Sequence, residues 1–134
     1  MEDWKIKISV LWLFKEGTLL ADLILVLWEP GVIAQIMAGE IEGEKIGPEF
    51  LLLFAIFMLV PLVMAFLSLT LKNPTNRWAN IILGIVFAGL ELFELVEVLA
   101  QSSAYNAAYE ILMLSAFVAL ALIVWYAWKS KQKA

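Results

Sequence analysis

The sequence contains neither cysteine nor histidine. Without Cys it forms no disulfide and offers no thiolate to a metal or a substrate, and without His it has neither an imidazole ligand nor an imidazole base. Acid–base or metal chemistry would therefore fall to carboxylates, and no cofactor is expected. Charge is scarce as well: Asp, Glu, Lys and Arg make up 16% of the 134 residues, while 63% are hydrophobic. A soluble domain carries about 25% charged residues and about 45–50% apolar ones. The excess calls for a lipid solvent, so the bilayer is the first expected partner. The net charge is −4, and no basic patch stands outside the short terminal tails. Nucleic acid is excluded on that ground, because phosphate binding needs clustered Lys and Arg. The amino end, MEDWKIKISVLWLFKEG, lacks the short apolar run and small-residue cleavage site of a secretory signal, which predicts that the first apolar stretch is retained.

What the chain does have is long apolar runs. Crossing about 30 Å of hydrocarbon takes about 20 helical residues, and four stretches reach that length, at about 8–28, 49–71, 79–101 and 106–128. Helix is the expected form, because isolated strands would leave backbone groups unpaired in lipid. Punctuation falls between the runs: Glu29-Pro30-Gly31, Gly47-Pro48, Asn73-Pro74-Thr75-Asn76 and Gln101-Ser102-Ser103. The expected architecture is all-α, a single domain built as a four-helix transmembrane bundle with an outer loop over 29–48. Within that loop Ile33, Ile36, Met37 and Ile41 follow a helical spacing, which predicts a short amphipathic piece. Glu40, Glu42, Glu44 and Glu49 give the loop an acidic face, read as a solvated surface with a cation-collecting vestibule as the sharper alternative.

Orientation follows from the basic residues. Lys5, Lys7, Lys72, Arg77, Lys129, Lys131 and Lys133 fall on one side of the predicted spans and Lys45 alone on the other. The positive-inside rule makes the first side cytoplasmic, so both termini are expected in the cytoplasm of a multi-pass protein of the cell membrane. Trp4, Trp28, Trp78, Trp125 and Trp128 stand near span ends, as interface anchors would.

The segment Leu67-Ser68-Leu69-Thr70-Leu71-Lys72, followed by Asn76-Arg77-Trp78 and Asn80-Ile81-Ile82-Leu83-Gly84-Ile85, resembles a family of small four-span prokaryotic membrane proteins known only as a domain of unknown function. Leu122-Ile123-Val124-Trp125-Tyr126-Ala127-Trp128-Lys129, and Ala21-Asp22-Leu23 with Pro30-Gly31, carry the same resemblance. It implies a compact four-helix unit and supplies no activity and no catalytic residues. The acidic outer half of the third span departs from the family pattern.

The candidate functional residues are ionisable groups inside the spans: Lys15, Glu16 and Asp22 in the first, Glu91, Glu94 and Glu97 in the third, and Glu110 in the fourth. An acid at a helix centre costs about 2.5–3.5 kcal/mol on insertion scales, so these groups are expected to face each other, water or a partner. At about 1.5 Å rise per residue, Glu91 falls near the midplane, Asp22 and Glu94 about 6 Å outward, and Glu97 and Glu110 about 10 Å outward. Asp22, Glu91, Glu94, Glu97 and Glu110 are the candidate cation- or proton-binding set, with Lys15 as charge partner. The metal, if there is one, is left open. Pro61 withholds its hydrogen bond from the carbonyl of Phe57, leaving either a plain kink or a further ligand. Gly84 and Ala88 form a small-residue stripe for helix packing, with Glu91 nearly in line with Gly84 at 100° per residue.

Two outcomes are open to such acids: a protonated, hydrogen-bonded network, or a bound cation. The leading functional expectation is a small transport or cation- or proton-binding protein with a carboxylate-lined cavity in the outer half of the bundle. A homo-oligomer packed through Gly84 and Ala88, or through Ser115 and Ala119, would enlarge the space one short chain encloses. The alternative is a structural or accessory subunit whose acids pair with a partner. A membrane enzyme using a carboxyl pair on a lipid-soluble substrate ranks last, since it needs an apolar pocket beside Glu91.

Overall fold

The computed structural model describes residues 2–101 and 103–130. Ser102, Lys131 and Lys133, used above for a span boundary and for orientation, lie outside the described residues. Among those residues the chain is mostly helical, with elements α1 (Asp3–Val26), α2 (Val32–Met37), β1 (Glu40–Ile41), β2 (Glu44–Lys45), α3 (Pro48–Thr70), α4 (Asn73–Ala100) and α5 (Asn106–Lys129). Local chemistry sets the boundaries. Asp3 stands in the first turn of α1, where a negative charge meets the positive end of the helix dipole. Pro48 opens α3 and Pro74 opens α4, positions where the missing N–H costs nothing. Leu71 and Lys72 adopt extended backbone and break α3 from α4 in two residues. Pro61 sits buried within α3, and the helix runs on through it.

By length and composition, α3 and α5 are apolar enough to cross a membrane. The other two long helices, α1 and α4, carry ionisable residues along their length. α1 lies between α3 and α5, and α5 between α1 and α4; α3 and α4, though consecutive, share little area. The start of α1, the α3–α4 turn and the end of α5 gather at one end. There Lys5 Nζ donates to the Leu71 carbonyl over 3.2 Å, and the Arg77 guanidinium lies 5.1 Å from the Trp128 ring. At the opposite end Tyr109 donates to Glu29 over 2.8 Å.

The bundle exposes much apolar surface and buries several polar groups in its core. Large apolar side chains are exposed on every long helix, among them Phe14, Leu53, Phe66, Ile82, Phe93 and Ile111. The interior holds Lys15, Glu16, Ser68, Asn76, Asn80 and Glu91 beside Ile8, Trp12, Phe87, Leu120 and Ile123. On α4 the buried stripe reads Asn76, Asn80, Gly84, Phe87, Glu91 and Leu95, spaced three and four apart as one face of a helix.

Gly84 is where α4 and α5 approach most tightly. A Cβ there would meet Val124 Cγ2 at 2.7 Å and Ile123 Cγ2 at 3.6 Å. Ala119 is buried within the same bundle, and Ser115 bonds back to the Ile111 carbonyl of its own helix. Gly84 and Ala119 thus serve helix contacts inside the chain. A correction concerns Trp4. Trp28, Trp78, Trp125 and Trp128 are exposed, but Trp4 is buried in the core with its indole N–H donated to Glu2.

The outer segment is folded more fully than its periodicity suggested. α2 ends at Met37, and Ile41 belongs to a two-residue hairpin with Glu40 opposite Lys45 and Ile41 opposite Glu44. Its turn residues Glu42 and Gly43 have φ of 52° and 84°, the pair of positive values a type I′ turn requires. The Glu42 amide donates to Gln35 Oε1 and ties the turn to α2. Glu-Gly lacks the Asn-Gly or Asp-Gly signature, which is why the hairpin is not apparent in the sequence.

Candidate functional site

Lys15 is the centre of the arrangement. It lies at the middle of α1 with 2% of its surface exposed, and its ammonium stands 5.0 Å from the Phe87 centroid and 5.4 Å from that of Phe57. An ammonium taken out of water is stabilised by the negative faces of aromatic rings. The two rings are themselves in contact, with centroids 5.1 Å apart, and Phe87 meets Trp12 edge to face at 5.8 Å. Trp12, Phe57 and Phe87, from three helices, therefore make an aromatic layer across the bundle.

Beneath this layer lies a polar network that sequence reasoning missed as a structural unit. Trp12 Nε1 donates to Asn80 Oδ1 over 2.7 Å, and Ser68 Oγ donates to the same oxygen over 3.2 Å. The Asn80 amide donates to the Asn76 side chain over 2.7 Å and to its carbonyl over 2.9 Å. Asn76 in turn donates to the Ser68 carbonyl over 2.7 Å. Ser9 Oγ adds a bond to the Ala65 carbonyl over 2.7 Å. The signal was two asparagines four apart at the head of an apolar helix, in line with Gly84. Each costs helix propensity and is tolerated only where its amide finds partners.

Above the layer stand the carboxylates. Glu91 is 8% exposed, while Asp22 and Glu94 are half-buried. Lys15 and Asp22 are seven apart on α1, and Glu91 and Glu94 three apart on α4, so each pair shares a face. The structure therefore sets Lys15 against Phe87, one helical turn from Glu91, with Asp22 and Glu94 further along the same two helices. Glu97 is exposed on α4, and Glu110 is half-buried near the start of α5. Among the described residues no three Asp or Glu side chains converge tightly enough to hold a metal ion.

Glu16, next to Lys15, is buried to 2% exposure, and neither carboxyl oxygen has a hydrogen-bond partner. It lies on the side of α1 that also carries Ser9 and Lys5, the residues bonded to α3. At the opposite end from the polar network, Asp22 opens onto a cavity of about 570 Å³ between the ends of α1, α4 and α5 and the α2–hairpin segment. Glu91 lines neither that cavity nor the shallower groove between α1 and α5 around Phe14 and Ser115. Neither is therefore the apolar pocket beside Glu91 that an enzyme reading needs. The arrangement can instead hold an internal cation among acids, with Asp22 as the link to the open cavity.

Over residues 1–134 the sequence matches the model of the Family of unknown function (DUF6326). The chain belongs to that family. No curated protein and no solved structure matches it. For this DUF6326 member the geometry of Lys15 and its neighbours is accordingly the ground for any functional reading.

Proposed function

We propose that the chain is an integral membrane protein that crosses the bilayer four times with both termini on the cytoplasmic side. In this reading it binds, and passes toward or away from the outer face, a cation or proton at the Lys15, Asp22, Glu91 and Glu94 cluster. The four-span reading is supported by α1 and α4, which bury Lys15, Glu16 and Glu91 while exposing large apolar side chains, as α3 and α5 expose theirs. One observation carries the functional reading: Lys15 is buried at mid-bundle against Phe57 and Phe87, one helical turn from the buried Glu91, and Asp22 further along its own helix lines an open cavity. The three acids and one lysine leave an excess of negative charge to attract an exchangeable cation or proton. The asparagine network closes the cytoplasmic side, so access is from outside.

The test is flux in proteoliposomes. An imposed pH or cation gradient is expected to dissipate faster with protein than without, and Glu91→Gln is expected to abolish the difference. Equal rates with and without protein, for protons and for monovalent cations alike, would sink the transport reading. Glu97, exposed within α4, favours a second reading in which the chain is an accessory subunit whose partner supplies a basic residue. Under that reading the chain purified alone aggregates, and co-expression with its partner restores a defined particle.

A further inference from the structure

The outer cavity has its own chemistry. Its volume of about 570 Å³ falls within the range of about 300–1,000 Å³ typical of small-molecule sites. Its walls are apolar, with Val26, Val32, Ile36, Val98 and Met113 from four helices, and among the described residues no Lys or Arg lines it. Four carboxylates do: Asp22 at the deep end, Glu29 on the wall, and Glu40 and Glu42 on the hairpin. Asp22 Oδ1 is buried and has no hydrogen-bond partner within the protein. Glu29 is held in place by the Tyr109 hydroxyl at 2.8 Å, and the Glu42 amide by Gln35.

A metal ion does not suit this site. The acids come from separate segments, and among the described residues no three Asp or Glu side chains are grouped to coordinate one ion. Small hydrated cations gain nothing from apolar walls. A cation with an apolar body gains from both, burying its hydrocarbon against Val26, Val98 and Met113 while its charge meets Asp22 and Glu29. We propose that the outer cavity is a binding site for a monovalent organic cation with an apolar body, such as a quaternary or protonated amine. This rests on the cation reading above and names its ligand class. Binding there places the ligand's charge beside Asp22.

The experiment uses the full chain in a neutral detergent, with calorimetric titration of tetrabutylammonium and, separately, of sodium and tetramethylammonium. Tetrabutylammonium is expected to bind at one site per chain, and tetramethylammonium much more weakly. Asp22→Asn is expected to weaken tetrabutylammonium about tenfold or more, with Glu29→Gln acting in the same direction. Met113→Trp, which fills the cavity without changing charge, is expected to weaken it too, and Asp3→Asn at the far end is not. If Asp22→Asn fails to fold, Glu29→Gln and Met113→Trp give the reading independently. Binding of sodium with none of tetrabutylammonium overturns the organic-cation site and leaves the cation reading standing. Absence of binding by all three cations, together with absence of flux, removes both. Tetrabutylammonium binding that survives Asp22→Asn, Glu29→Gln and Met113→Trp is partition into detergent and overturns the proposal.

Discussion

Trp12 Nε1 and Asn80 Oδ1, 68 residues apart in sequence, are joined by a 2.7 Å hydrogen bond in the core. The same oxygen accepts from Ser68, and the same amide donates to Asn76. Asn80→Ala would leave the Trp12 indole, the Ser68 hydroxyl and the Asn76 oxygen without their partner at once. Each such loss costs about 1–3 kcal/mol. Asn80→Ala is expected to lower the Tm in detergent clearly more than Ser68→Ala, which removes only the 3.2 Å bond. Equal shifts would show that Asn80 does not join the helices in solution.

Gly84 gives a prediction with a built-in rescue. Gly84→Ala places a methyl 2.7 Å from Val124 Cγ2, and a β-branched side chain has few rotamers in which to retreat. A destabilisation of about 1–3 kcal/mol is expected from the overpacking. Val124→Ala in the same chain should recover much of it. Two losses that simply add would place Gly84 away from Val124.

Lys15 and Glu91 are expected to be energetically coupled. Lys15→Met keeps the length of the side chain and removes the charge that the neighbouring acids face. Alone it should destabilise the protein, and it should cost less in a chain that already carries Glu91→Gln. A coupling of about 0.5–3 kcal/mol in the double-mutant cycle, read by thermal unfolding, is the expected outcome. Additive effects would mean that Lys15 is held by Phe57 and Phe87 alone.

Acid weakens one contact at the end where α1 starts. Hydrogen bonds from Trp4 and Asn73 hold the Glu2 carboxyl below its usual range, with the Lys5 charge assisting. A lowered folded-state value means stability that is fully present above the ordinary carboxylate range and lost as pH falls through the lowered one. The Tm difference between the native chain and Glu2→Ala should therefore shrink as pH drops below about 4.3, the ordinary Glu value. A difference that stays constant with pH would show that the contact does not depend on charge.

Membrane orientation is the last prediction. A cysteine at Glu42 should react in intact cells with an impermeant maleimide, and one at Thr75 only after lysis. Since the chain has no Cys of its own, labelling is free of background. The reverse pattern would invert the topology and place the cavity in the cytoplasm.

Much of the fold was legible locally. Apolar runs near 20 residues long, cut by Glu29-Pro30-Gly31, Gly47-Pro48 and Asn73-Pro74, already contain the long helices, because helix length and termination depend on neighbours in the chain. The presence of Lys15, Asp22, Glu91 and Glu94 within them was equally plain, and 100° per residue placed Glu91 in line with Gly84. Which acids meet was not legible. That depends on which helices are neighbours and how each is rotated, and apolar helices with little one-sided patterning record neither. The tertiary structure decided that Glu91 is buried while Glu97 is exposed. It also decided that Phe57 and Phe87 stack against Lys15, and that Asn76 and Asn80 close one end. The sequence by itself determined the helices and the charges they carry, since both follow from residue type and spacing; only packing, which joins residues tens of positions apart, decided which of those charges are buried.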